Sequence, residues 1–137
     1  MLNENDIVEI LAGHLIRNGY EIIQLRKTNE KGPDIIVDHA KSKQRLFIEA
    51  KGETSSKEHT NGYGNPFKKT QIRSHVAKAI LASMKILSSR PAGAKTKVGM
   101  AFPITDGHKM ELETVKNVLK QLDIKIFWVS RNKVIEE

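Results

Sequence analysis

Gly32-Pro33-Asp34-Ile35-Ile36-Val37 and, after a polar turn, Leu46-Phe47-Ile48-Glu49-Ala50-Lys51 decide how this chain is read. Each segment joins a carboxylate to a run of β-branched or aromatic residues, so the two are expected to form neighbouring strands. The connection His39-Ala40-Lys41-Ser42-Lys43-Gln44 is polar, as a hairpin turn should be. Side chains alternate faces along a strand, which sends Glu49 and Lys51 the same way, with Cα atoms about 7 Å apart, and Ala50 the other way. If the strands pair as a hairpin, Asp34 reaches the face of Glu49, and two carboxylates and one ammonium surround a single point. Carboxylate oxygens suit Mg²⁺, and a compact ammonium there suits the positioning of a water. Taken singly the residues have plainer readings: a turn Asp, an edge-strand Glu and a solubilising strand-end Lys.

Working outward, residues 5 to 18 read as a helix. Ile7, Val8, Leu11 and Leu15 make its apolar stripe, Asn3 or Asn5 can cap it, and Gly19 suits its end. Glu9 lies at the edge of that stripe, and Gly13, one turn on, is expected to leave open space beside it. Tyr20 to Arg26 reads as a first strand, Asp34 to Val37 as a second and Leu46 to Lys51 as a third. Gly52 to Pro66 is a long polar segment with His59 and Tyr63 as its bulky members, and aperiodic loops of that length are often functional. A second helix is expected from Pro66 to Thr70 through about Leu87, with Ile72, Val76, Ile80, Met84 and Leu87 on its apolar face. Gln71, His75, Lys78 and Lys85 recur along a polar, basic stripe of the same helix. Lys95 to Phe102 gives a fourth strand, Met110 to Leu122 a third helix and Ile124 to Val129 a fifth strand. The expected class is mixed α/β, a central sheet flanked by helices, in one domain spanning residues 1–137.

Lys and Arg number 23 against 16 Asp and Glu, a formal net charge of +7. That balance favours polyanions, nucleic acid first and an anionic membrane as competitor. Charge is also segregated. No acidic residue stands between Glu58 and Asp106, whereas Lys68, Lys69, Arg73, Lys78, Lys85, Arg90, Lys95 and Lys97 do. Such a block is either a surface for phosphates or a basic face with no partner. The chain has no cysteine, which removes disulfides, thiolate zinc sites and cysteine nucleophiles together. The five histidines show no zinc spacing, and Gly62-Tyr63-Gly64 lacks the strand-to-helix setting of a phosphate-cradling loop. No apolar run approaches the roughly 20 residues that span a bilayer, and the N-terminus lacks the basic and apolar regions of a signal peptide. A cytoplasmic protein without membrane association is expected.

Asp34, Glu49 and Lys51 stand as Pro-Asp…Glu-x-Lys, which resembles the signature of the PD-(D/E)XK nuclease superfamily of restriction endonucleases, Holliday-junction resolvases and repair nucleases. The order helix, three strands, helix, strand is similar to that family's core, over roughly residues 4 to 88. The resemblance implies a restriction endonuclease-like fold and a Mg²⁺-dependent nuclease, Mn²⁺ being an alternative cofactor, with DNA as the expected polymer. It implies Asp34, Glu49 and the Ala50 carbonyl as metal ligands, Lys51 as the residue that prepares the water, Glu9 as the helical acid near the metal and Gln71 as a polar helix residue near the site or the scissile phosphate. Lys68, Lys69, Arg73, His75, Lys78 and Lys85 are the candidates for nucleic-acid contact. A homodimer is expected on the same ground, because cutting two strands usually takes two sites. A non-catalytic nucleic-acid-binding or scaffold protein on the same fold, and a basic subunit binding an acidic protein, are the competing readings.

Overall fold

The computed structural model describes residues 1–26, 31–55 and 63–137. Helix α1 (Glu4–Arg17) leads into strands β1 (Tyr20–Leu25), β2 (Ile35–His39) and β3 (Arg45–Ala50), followed by the long helix α2 (Lys69–Ser89) and β4 (Thr96–Pro103). Helices α3 (Asp106–Glu113) and α4 (Lys116–Gln121), β5 (Ile124–Val129) and β6 (Val134–Glu136) complete the chain. The six strands form one sheet in sequence order. β1, β2 and β3 form an antiparallel meander, β3, β4 and β5 run parallel, and β6 returns antiparallel.

Parallel neighbours need a crossover connection, and α2 and the α3–α4 pair supply the two that β3 to β4 and β4 to β5 require. Both crossovers cover the same face of the sheet. There Val76 and Ala79 of α2, Leu112 of α3 and Leu119 of α4 pack on Val98, Met100, Phe102, Ile124, Ile126 and Trp128. The opposite face is covered by α1, whose Ile7, Val8, Leu11 and Leu15 meet Ile35, Val37, Leu46, Ile48, Ala50, Ala101, Phe127 and Val129. α1 starts where it does because Asn3 caps it reciprocally. Asn3 Oδ1 accepts from the Asp6 amide at 2.9 Å, and Asp6 Oδ2 accepts from the Asn3 amide at 3.0 Å.

The mixed α/β class and the expected hairpin are present, with β2 and β3 paired so that Ile35 faces Ile48 and Val37 faces Leu46. Three expectations need correction. The single helix expected over Met110 to Leu122 is two. The first starts at Asp106, where Thr105 Oγ1 accepts from the His108 amide at 3.1 Å, and the chain breaks at Thr114-Val115 before α4. The strand β6, too short for periodicity to reveal, pairs along β5. Met84 is not on the buried face of α2 but half exposed, because Ala79 and Ser83 take the positions against the sheet. No described helix is long and apolar enough to cross a membrane.

Candidate active site

β2 and β3 bring Asp34 and Glu49 together at the end of the hairpin. The Asp34 amide donates to the Ile48 carbonyl at 3.0 Å, which places Asp34 directly beside Glu49 as the ladder runs out. Asp34 is buried, and its Oδ2 accepts from the Ala50 amide at 2.7 Å. In a strand the amide and carbonyl of one residue leave on the same side, so the Ala50 carbonyl also points to the β2 side, past the end of β2. Lys51 follows, with its Nζ 3.8 Å from Glu49 Oε1 and both side chains about four-fifths buried. The three motif residues are therefore brought together.

The helical acid that joins them is Glu4, not Glu9. Glu9 is exposed on α1. Glu4 lies five residues earlier, about 140° around the helix and 7.5 Å along it, at the α1 end that abuts the chain leaving β3. Gly52 makes that approach possible. A Cβ there would lie 2.6 Å from the Asn3 carbonyl carbon and 2.6 Å from the Glu4 amide nitrogen, so only glycine fits. The junction is tied by the Glu53 amide donating to the Leu2 carbonyl at 2.8 Å and the Leu2 amide to Glu53 Oε2 at 3.1 Å. The space expected beside Gly13 is not open either, since a Cβ there would lie 3.3 Å from the Arg17 guanidinium. The signals that locate Glu4 were the Asn3 cap and a glycine directly after Lys51, and their connection is visible only once helix and strand are packed.

The cluster is electrostatically tense. Burial, and then the neighbouring Asp34 carboxylate, push the Glu4 carboxyl up to about 8, and it hydrogen-bonds Asp34. Burial and Asp34 likewise push Glu49 up to about 7, against the opposing pull of Lys51. Asp34 is raised by burial and held back chiefly by the Ala50 amide. Acids crowded in a buried corner take up protons when nothing else neutralises them. Among the described residues no three His, Cys, Asp or Glu side chains are placed to hold a metal ion together. Mg²⁺ commonly takes one or two carboxylates and completes its shell with water and phosphate oxygens. Asp34 and Glu49, hard donors on adjacent strands with the Ala50 carbonyl beside them, fit that requirement.

The other expected residues spread along α2. Gln71 is exposed, and its Oε1 accepts from the Lys68 amide at 2.7 Å, so here it closes the first turn of the helix and does not touch the carboxylates. His75 is half-buried, sits edge-on to Phe67 with ring centroids 4.5 Å apart, and is held below its ordinary value by burial and then by Lys51 and Lys78. Lys68, Lys69, Lys78 and Lys85 are exposed and without an ion-pair partner among the described residues. The acid-free stretch of sequence is not acid-free in space. Arg73 meets Glu111 of α3 at 3.2 Å, and Lys97 meets Asp123 at 2.8 Å. Of the two bulky loop residues, Tyr63 is exposed, and His59 lies outside the described residues.

No protein-family model and no curated protein matches the chain. Among solved structures, the crystal structure of the YaeQ protein from Xanthomonas axonopodis pv. citri is similar at a TM-score of 0.43 and 12% identity, over 94% of this chain and 56% of that one. The chain thus spans little more than half the length of that structure.

Proposed function

We propose that the protein is a Mg²⁺-dependent nuclease of restriction endonuclease-like fold that hydrolyses phosphodiester bonds in nucleic acid, with DNA as the polymer. The observation that carries this reading is the convergence of Asp34, Glu49, Lys51 and Glu4 at one end of the sheet, in a fold whose helix α2 presents lysines unpaired among the described residues. Asp34 and Glu49, with the Ala50 carbonyl, are the groups that would hold the cation. When bound, Mg²⁺ would neutralise charge developing on the phosphate and lower the pKa of a water. Lys51, restrained by Glu49, directs an ammonium to where a nucleophile would stand, and Glu4 hydrogen-bonds Asp34. Lys68, Lys69, Lys78 and Lys85 supply charge along the backbone of the polymer.

The test is incubation of the purified protein with supercoiled, linear, single-stranded and branched DNA and with RNA, in Mg²⁺, Mn²⁺ or EDTA. Cleavage that needs the cation is expected. Lys51→Ala should lower its rate by two or more orders of magnitude, about the scale for losing a group that prepares the nucleophile, while leaving binding nearly intact. A Lys51→Ala protein cutting within a few-fold of wild type removes Lys51 from the chemistry. Salt-sensitive binding without cleavage of any substrate favours the non-catalytic reading, and the absence of both favours an acidic protein partner.

A further inference from the structure

Two imidazoles that the chemistry above does not use stand on α2 and α3 where these helices converge. The helices come close at Gly107, where a Cβ would lie 2.9 Å from Ile72 Cδ1. One residue after Gly107, His108 is fully buried. Its Nδ1 lies 2.6 Å from Thr105 Oγ1, and its Nε2 is buried with no hydrogen-bond partner among the described residues. Three residues after Ile72, His75 also has a buried nitrogen without a partner among the described residues, Nδ1. Buried polar atoms are nearly always hydrogen-bonded, and a water serving two or more of them is the usual solution in a polar pocket. Burial, and then the neighbouring His75, hold His108 down to about 4. His75 in turn senses Lys51. His108 and Lys51 are thus both electrostatic neighbours of His75.

The polarity of a hydrogen-bond line between the two rings follows from the donors present. Thr105 Oγ1 already accepts from the His108 amide at 3.1 Å, so what the hydroxyl has left to offer is its hydrogen, and His108 Nδ1 is the acceptor beside it. A His108 that accepts at Nδ1 carries its proton on Nε2 and donates inward. One water receiving that hydrogen bond can donate to His75 Nδ1, which puts the His75 proton on Nε2, the nitrogen not enclosed.

We propose that Thr105, His108 and one bridging water fix His75 as a neutral imidazole that donates from Nε2 to a phosphate oxygen of the nucleic acid held beside Lys51. His75 is then the contact residue and His108 its positioning residue. The phosphate contact rests on the nuclease reading, whereas the hydrogen-bond line does not. A neutral donor here adds orientation to the backbone contact without adding to the crowd of charge around Lys51 and Lys78, and releases no counterion.

The line is tested on the wild type by long-range ¹⁵N–¹H NMR of the histidine rings in EDTA between pH 6 and 8. Both rings should be neutral Nε2–H tautomers at pH 7 and above. An Nδ1–H tautomer, or a charged ring, at either position at pH 7 overturns it. The contact is tested with a fluorescein-labelled 20-base-pair DNA duplex, still in EDTA. His75→Gln, which keeps an N–H near the place of Nε2, should bind within about twofold of wild type, and His75→Leu about fivefold or more weakly. Neither should change the salt slope. Equal binding by His75→Leu, in a protein whose NMR spectrum shows it folded, overturns the contact. A wild type that binds no duplex overturns the nuclease reading and the contact together, while the tautomers still decide the line.

Discussion

Gly52→Ala should damage the protein at one identifiable joint. The added methyl would meet three backbone atoms, the Asn3 carbonyl carbon and Glu4 nitrogen at 2.6 Å and Asn3 Cα at 2.8 Å. No flexible side chain is available to swing aside, so the start of α1 must retreat by about 0.8 Å to recover ordinary contact near 3.4 Å. Overpacking of this kind costs about 1–3 kcal/mol. The retreat also stretches the two hydrogen bonds between Leu2 and Glu53, at about 1 kcal/mol each when lost. The expected loss is therefore about 2–4 kcal/mol, a fall in Tm on the order of 10 °C for a chain of this size. Urea denaturation followed by circular dichroism measures it. Gly13→Ala is the control, since its methyl would meet only the far end of Arg17 at 3.3 Å, and helix propensity favours Ala there by about 0.5–1 kcal/mol. Because Gly52 holds Glu4 against Asp34, Gly52→Ala should also weaken Mg²⁺ binding in calorimetry, which Gly13→Ala should not. If Gly52→Ala unfolds at the same urea concentration as wild type, the close approach of α1 to β3, and with it the place of Glu4 in the site, is wrong.

Glu4→Gln should reduce Mg²⁺-dependent cleavage by at least tenfold, and Glu9→Gln should leave it within twofold; the reverse order in a parallel rate assay would restore Glu9 to the site. In EDTA, the raised Glu4 carboxyl means that the folded state holds a proton the unfolded chain has released, so its ionisation destabilises at high pH. That penalty is absent below about 4.5, grows between there and about 8, and is full above. Glu4→Gln should accordingly be more stable than wild type at pH 9 by roughly 1–3 kcal/mol and lose the advantage on acidification. Denaturation curves at several pH values that run parallel for the two proteins would refute this. Lys68→Gln with Lys69→Gln should weaken DNA binding on all sequences alike and flatten the plot of log K against log salt by about two units. Both lysines stand at the start of α2, where positive charge opposes the helix dipole, so the double substitution should not lower Tm; a binding defect with an unchanged salt slope would show that they do not touch phosphate.

Much of the architecture is local and was therefore legible in the chain. The 3.6-residue spacing of Ile7, Leu11 and Leu15, the β-branched runs around Asp34 and Glu49, and the polar turn between them announce a helix and a hairpin, because periodicity and turn chemistry act within a few residues. Asp34, Glu49 and Lys51 were placed together by the same logic, since antiparallel pairing and strand alternation leave little freedom. What the chain could not announce depends on contacts between distant segments. Glu4 and Glu9 are equivalent as helical acids until Gly52 lets α1 press against the exit of β3, which selects Glu4. Met84 continues a helical apolar pattern, but the sheet accepts only Ala79 and Ser83 at that depth. Arg73 and Lys97 belong to an acid-free stretch until α3 and the turn before β5 bring Glu111 and Asp123 to them. Local sequence determined the elements and the three motif residues, whereas tertiary packing decided which helical acid completes the cluster and which cations of the acid-free stretch meet an acid, because burial and charge pairing are properties of neighbours in space.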